Sequence, residues 1–334
     1  METKLKGTIH SICLVTLFLI GNTLINLPLQ KYVSSSLPGF IIAVIIGIPF
    51  MYLCSSLIVK ANANVHGIYS KLTFCLFAFY SAFCGLTSIR NYITFSDIVI
   101  LPEANSFFPV IIFILITAFL STRRKEVIIK LSLLFSLFIS LAMAFLLISG
   151  IRNMKIENLF PIKLNLKGIL YQCSSFLGIS FLEGIVLVAF FNSLKEEKKV
   201  FLTGTLFAVL LLFTALIQAI SVFGYTVMQN QRFPFADTMS VIYFGDKYTR
   251  LEGFSYFIYF ACSLIKTSVC VRVFTDYSGR VLPKTKKYAL PVILFIYLIF
   301  CVFVSFFKNL EFTVVAPFLI LPPFIIMLLL RRIH

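Results

Sequence analysis

Two charged residues lie where an apolar helix should have none. Glu183 sits in the middle of Phe176-Leu177-Gly178-Ile179-Ser180-Phe181-Leu182-Glu183-Gly184, and Lys266 in the middle of Cys262-Ser263-Leu264-Ile265-Lys266-Thr267-Ser268. A charge at the centre of a membrane helix costs roughly 2.5–3.5 kcal/mol on insertion scales, so neither residue faces lipid unpaired. A buried carboxylate can receive an amino group or a proton, and a buried ammonium supplies a fixed positive charge. The alternative is structural, with each charge locked into an ion pair or capped by carbonyls to hold the bundle. Arg90, Arg272 and Asp276 lie nearer helix ends, where long side chains snorkel. Other chemistry has no support. There is no phosphate-binding glycine loop, nucleophile elbow or HExxH zinc motif. The 8 Cys show no CxxC spacing and lie within apolar runs, and the His residues are His10, His66 and His334. No enzyme activity, cofactor, metal or nucleic-acid partner is expected.

The elements that carry these charges are transmembrane helices. The chain has 334 residues, 60% of them hydrophobic and only 13% charged, against about half apolar and a quarter charged in a soluble domain. No soluble fold of this length has interior enough for that apolar surface. With 39 Phe, 14 Tyr and no Trp, any interfacial aromatic belt falls to Tyr. Apolar runs of spanning length predict ten helices near 8–30, 38–59, 69–95, 106–121, 126–150, 169–193, 200–226, 251–276, 287–307 and 312–330. Residues 1–334 thus form a single transmembrane domain. The first run is too long for a signal peptide, and no small-residue cleavage site follows it.

The net charge of +16 fits membrane orientation better than nucleic acid. With the N-terminus inside, the inner segments hold most of the 29 Lys and Arg, among them Lys4, Lys6, Arg123-Arg124-Lys125, Lys195, Lys284, Arg331 and Arg332. Both termini are therefore expected in the cytoplasm. The longer connections, 151–168 and 227–250, fall outside, as solvated links or as the walls of an external mouth.

Two helices carry glycines at matching places. The first contains Gly21-Asn22-Thr23 and the sixth Gly178-Ile179-Ser180, and each opens a block of five helices. Paired interruptions of this kind point to an inverted-repeat transporter site, with repeats at about 8–150 and 169–330. Half-helix ends with free N–H and C=O groups hold a carboxylate, an ammonium or an ion. Close helix packing explains the same glycines equally well. On the first reading, Gly21, Asn22, Thr23, Gly178, Ile179, Ser180 and Glu183 line a pocket, with Thr87 nearby. Lys266 serves there as a cation surrogate or proton-linked group, donating to freed carbonyls around Gly21.

Leu17-Phe18-Leu19-Ile20-Gly21-Asn22-Thr23-Leu24-Ile25-Asn26-Leu27-Pro28 resembles the first-helix signature of the GerAB-type spore germination permeases. Leu101-Pro102-Glu103, Phe181-Leu182-Glu183-Gly184, Arg232-Phe233-Pro234-Phe235, Arg250-Leu251-Glu252-Gly253 and Lys266 follow in the order of that family's landmarks. Leu182 stands where the family has Gly directly before Glu, and Leu29-Gln30 replaces its usual Arg. The resemblance implies membership of the amino acid–polyamine–organocation superfamily. It implies an all-α, five-plus-five LeuT-type fold with discontinuous helices 1 and 6. It further implies the B subunit of a nutrient germinant receptor in the inner spore membrane, with A- and C-type subunits as partners and an amino acid or similar small nutrient as ligand. A proton-coupled amino-acid permease is the alternative, and a membrane enzyme or purely structural subunit a more distant one.

Overall fold

The structure, a computed structural model, describes residues 2–29, 31–63, 67–100, 107–160, 162, 164–191, 198–241, 252–304 and 322–328. All regular structure in these residues is helical. The helices are α1 (Glu2–Ile25), α2 (Ser36–Ala63), α3 (Ile68–Phe95), α4 (Phe107–Thr122), α5 (Lys125–Gly150), α6 (Leu166–Phe176), α7 (Ile185–Phe191), α8 (Lys198–Met228), α9 (Pro234–Val241), α10 (Glu252–Val281) and α11 (Lys286–Val304). Residues 322–328 are helical within the tenth expected span. The rest of that span, Leu101-Pro102-Glu103, Arg250-Leu251 and His66 lie outside the described residues.

Lipid leaves an unpaired backbone group without a partner, so each apolar run closes its hydrogen bonds within itself as a helix. Among the described residues, seven helical segments are long and apolar enough to span a membrane, and α4 and α11 contribute shorter apolar stretches. The chain is a multi-pass membrane protein.

Burial sorts the helices into an inner and an outer set. The most apolar windows of α1, α6–α7 and α10 are 72%, 83% and 78% buried, whereas those of α2, α5 and α8 are 28–39% buried. The outer helices turn Ile45, Leu137, Leu141, Ile148, Leu206 and Leu210 outward, a surface that only lipid tolerates. α10 packs most extensively on α3 and also touches α1, α4, α5 and α11; α1 in turn lies along α8 and α5. Glycine permits the tightest crossings. A Cβ on Gly204 of α8 comes within 2.8 Å of Val15 Cβ and 2.9 Å of Ile12 O on α1, and one on Gly39 of α2 within 2.5 Å of Gln172 Cβ on α6.

The helix ends near Lys125 are tied by side chains. A helix leaves its last carbonyls without intrahelical partners. Lys125 Nζ donates to Phe190 O at 2.7 Å and Tyr277 Oη to Ala189 O at 3.1 Å, which together close the end of α7. Arg272 Nη1 donates to Ser121 O in the last turn of α4 and to Arg123 O just beyond it, at 3.2 and 3.1 Å. Asp276 holds both cations, at 3.4 Å from Lys125 Nζ and 3.3 Å from Arg272 Nε. Arg272 and Asp276 are thus tied into the bundle rather than snorkelling free.

At the opposite end, the connection read as a solvated link folds back onto α8. Gly224 breaks α8 at φ 74°, and Asn158 Nδ2 donates to Ser221 O beside that break at 2.8 Å. Helix α9, where the sequence suggested only a loop, starts with Pro at its first position and buries Phe235, Ala236 and Met239. Phe233 and Tyr259 each stand edge-on to Phe95, at 5.2 and 4.5 Å between ring centroids.

Candidate functional site

The two interruptions expected from the sequence have different outcomes. The sixth helix is distorted at the expected place but keeps its hydrogen bonds within one apolar span, Leu166–Phe191. Leu177–Phe181 form a π-helical turn, in which Leu182 N donates to Leu177 O at 2.8 Å; a hydrogen-bonded turn at 182–184 follows, with Ile185 N on Leu182 O and Val186 N on Glu183 O, and α7 resumes at Ile185. Gly178, Ile179 and Ser180 lie in the π turn, and Glu183 in the turn after it. The first helix is not interrupted at Gly21-Asn22-Thr23. α1 continues to Ile25, Asn26 N still donates to Asn22 O at 3.0 Å, and the helix ends only ahead of Leu27-Pro28. The expectation of a discontinuous helix 1 at 21–23 is corrected accordingly. Gly21 is a packing glycine: a Cβ there meets Cys262 Cβ of α10 at 3.3 Å. Thr23 Oγ1 bonds back to Leu19 O at 3.1 Å within the same helix.

The charges meet. Lys266 Nζ and Glu183 Oε2 form an ion pair with both side chains inside the protein, at 0% and 6% exposure. From the apolar runs alone, each charge has a candidate role but no identified partner. Lys266 is directed at this carboxylate instead of at carbonyls around Gly21, which the intact helix keeps occupied. Asn22 Nδ2 lies 3.2 Å from Glu183 Oε1 and 3.3 Å from Oε2, and Thr87 Oγ1 lies 3.2 Å from Oε1. Thr87 Oγ1 is also 2.9 Å from Cys84 O, and its single hydrogen serves one acceptor at a time. Asn22, Thr87, Glu183 and Lys266 therefore converge from α1, α3, the 182–184 turn and α10.

The surrounding shell is mixed. The Phe18 ring, one helical turn before Asn22 on α1, lies 5.0 Å from Lys266 Nζ, a cation–π contact. Sequence reasoning overlooked Phe18, although its spacing of four residues from Asn22 places the two on one helix face. Ser180 Oγ donates to Leu19 O at 3.3 Å and so ties the π turn to α1. Ser88 and Thr267 hydroxyls meet at 3.3 Å between α3 and α10. Asn22 Oδ1 and Ser263 Oγ, both buried, have no hydrogen-bond partner among the described residues. Gly178 and Ile179 are buried in the π turn and shape the backbone that presents Glu183.

Chemically this is a buried pair of opposite charges. An ion pair removed from water needs further hydrogen bonds to offset desolvation, and Asn22 and Thr87 supply them on the carboxylate side. The ammonium has three donors and directs one at Glu183. No curated protein matches the chain. The family model described as spore germination protein matches residues 7–313, from the second turn of α1 to beyond α11, with the whole polar cluster inside it. The chain belongs to the spore germination permease family.

Proposed function

We propose that the protein is the ligand-sensing B-type subunit of a spore nutrient germinant receptor, and that an amino acid or similar small nutrient binds at the Glu183–Lys266 cluster in mid-membrane. One observation carries this reading: a desolvated carboxylate–ammonium pair lies at the point where α1, α3 and α10 meet a π-distorted helix. A pair that only locked the bundle has no need of an irregular segment at Glu183. Family membership supports a role in germination. The residue types match the two charged ends of an amino acid.

Asn22, Thr87, Glu183 and Lys266 contact the nutrient in this reading. Ser180 and Thr23 fix the Leu19 carbonyl, Gly178 and Ile179 shape the π turn, and Gly21 sets the α1–α10 spacing. The ten spans form two five-helix repeats, about 8–150 and 169–330, with a LeuT-type plan in which the first helix keeps its hydrogen bonds. Both termini face the cytoplasm, the membrane is the inner spore membrane, and A- and C-type subunits relay the signal. A proton-coupled permease is the second reading. The buried ionisable pair favours it, because such groups mark transport and proton pathways in membranes.

The deciding experiment is germination of spores with and without the gene across the free amino acids. A response that disappears with the gene and returns with complementation supports the reading. Gene-independent responses to every amino acid remove it. Gene-dependent uptake of a labelled amino acid into proteoliposomes, with no germination defect, favours the permease.

A further inference from the structure

We propose that the Lys266–Glu183 pair is an internal stand-in for a zwitterion. An incoming amino acid opens it by exchange: its carboxylate takes the Lys266 ammonium, while its ammonium takes the Glu183 carboxylate and the unpartnered Asn22 Oδ1. The proposal rests on the reading of this cluster as the nutrient site and adds the rule by which that site selects.

Charge balance carries the argument. The pair is buried, and its two members come from α10 and from the irregular turn at 182–184. Separating them without replacement leaves two charges uncompensated in a dry interior, which is strongly unfavourable. A ligand with one net charge satisfies one member and strands the other. A neutral polar ligand strands both. A zwitterion alone leaves every charge paired, so its insertion costs little in electrostatic terms.

The spare hydrogen-bonding capacity is of the required kind. Asn22 already commits its amide hydrogens to Glu183, yet its oxygen, at 1% residue exposure, accepts from nothing among the described residues. An acceptor beside a carboxylate is a place for an ammonium. Lys266 has two donors beyond the one directed at Glu183, enough for a second carboxylate. Thr87 gives up its bond to Glu183 at no loss, because its hydroxyl also reaches Cys84 O at 2.9 Å. Ser263 Oγ, one turn before Lys266 on α10, is a further buried group without a hydrogen-bond partner among the described residues.

The test uses the full chain in lipid nanodiscs, with binding read from ligand-induced thermal stabilisation. Each free L-amino acid is titrated, and the tightest binder is then titrated as its carboxamide and as its N-acetyl derivative. Exchange predicts that both derivatives bind roughly 10²- to 10³-fold more weakly than the free amino acid. In Lys266→Met the discrimination against the carboxamide falls to within about tenfold, and in Glu183→Gln the discrimination against the N-acetyl form does the same. Derivatives that bind the wild-type chain within tenfold of the free amino acid overturn the exchange and leave the amino-acid reading standing. Full discrimination retained in a folded variant also overturns it. Should no free amino acid bind, both the exchange and the nutrient reading fall. The wild-type titrations decide the matter even if neither variant folds.

Discussion

Lys266→Met separates the two roles a buried ion pair can have. The substitution keeps most of the apolar stem and removes the charge, and with it the cation–π contact to Phe18. Glu183 is then left buried with Asn22 and Thr87 as its donors. Removing one partner of a buried pair costs about 3–5 kcal/mol, a large part of the 5–15 kcal/mol that typically separates folded from unfolded protein. Glu183→Gln should cost a similar amount by leaving the ammonium alone. The double variant Lys266→Met/Glu183→Gln leaves no unpaired charge, and replacing both members of such a pair is often close to neutral. The double-mutant cycle should therefore give a coupling of at least ~2 kcal/mol. An ordinary polar contact between membrane helices gives about 0.6 kcal/mol on average. Unfolding in a detergent titration measures the cycle, and immunoblots of spore membranes follow abundance. Abundance should drop in each single variant and recover in the double one. On the proposed reading the germination response should not recover, because the double variant lacks both charges assigned to the nutrient. Coupling at or below 0.6 kcal/mol would refute the pairing, and a normal response in the double variant would show that the pair is only structural.

Three further outcomes follow from the packing and the chemistry. Gly204→Ala and Gly39→Ala should each destabilise by about 1–3 kcal/mol, since the added methyl meets the facing helix at 2.8 and 2.5 Å; Gly253→Ala, with nothing within 4 Å, should leave the same detergent-unfolding midpoint unchanged. Gly224→Ala should cost about 1–2 kcal/mol, because φ 74° favours glycine, and should speed proteolysis in the 151–160 segment docked beside it. The response should be the same in sodium and in choline buffer, because Lys266 already places a positive charge in the cluster; a sodium requirement would contradict its role as a fixed cation.

The membrane class and the principal helices were legible because lipid enforces one pattern: long apolar runs broken by charge. Thr122-Arg123-Arg124-Lys125 separates α4 from α5 where the charges predict. Helix α9 was not legible, since eight residues of mixed polarity within a polar stretch resemble a loop; Pro234 at its first position was the available signal. Glu183 and Lys266 stood out singly because each interrupts an apolar run. Their pairing did not, because 83 residues separate them and their distance depends on how α10 lies against α1 and α3. Of the two readings open for Gly21, a break or a packing glycine, α1 takes the second. A helical glycine costs about 1 kcal/mol relative to alanine, and here the close approach to Cys262 and the Thr23–Leu19 bond accompany an unbroken helix, so the chain departs only ahead of Pro28.

Where the polarity of the cluster resides has consequences for how it recognises a ligand. Open helix ends would offer backbone carbonyls and N–H groups whose partial charges no side-chain substitution alters. In this protein those groups are mostly engaged. Leu177 O accepts from Leu182 N, Ser180 O from Gly184 N at 3.2 Å, and Glu183 O from Val186 N at 3.0 Å. Leu19 O accepts from both Thr23 and Ser180 hydroxyls. The irregular segment thus keeps its own hydrogen bonds while placing a carboxylate between α1, α3 and α10. On the proposed reading, recognition then falls to side chains: one ammonium, one carboxylate, one amide and one hydroxyl. If the cluster is the nutrient site, as proposed, two residues set the charge class of the ligand and two more its orientation, while the π turn and the α1–α10 crossing hold all four in place. In a site built this way, changing Glu183 or Lys266 alters what is recognised. Changing Gly178 or Gly21 alters whether the site forms at all.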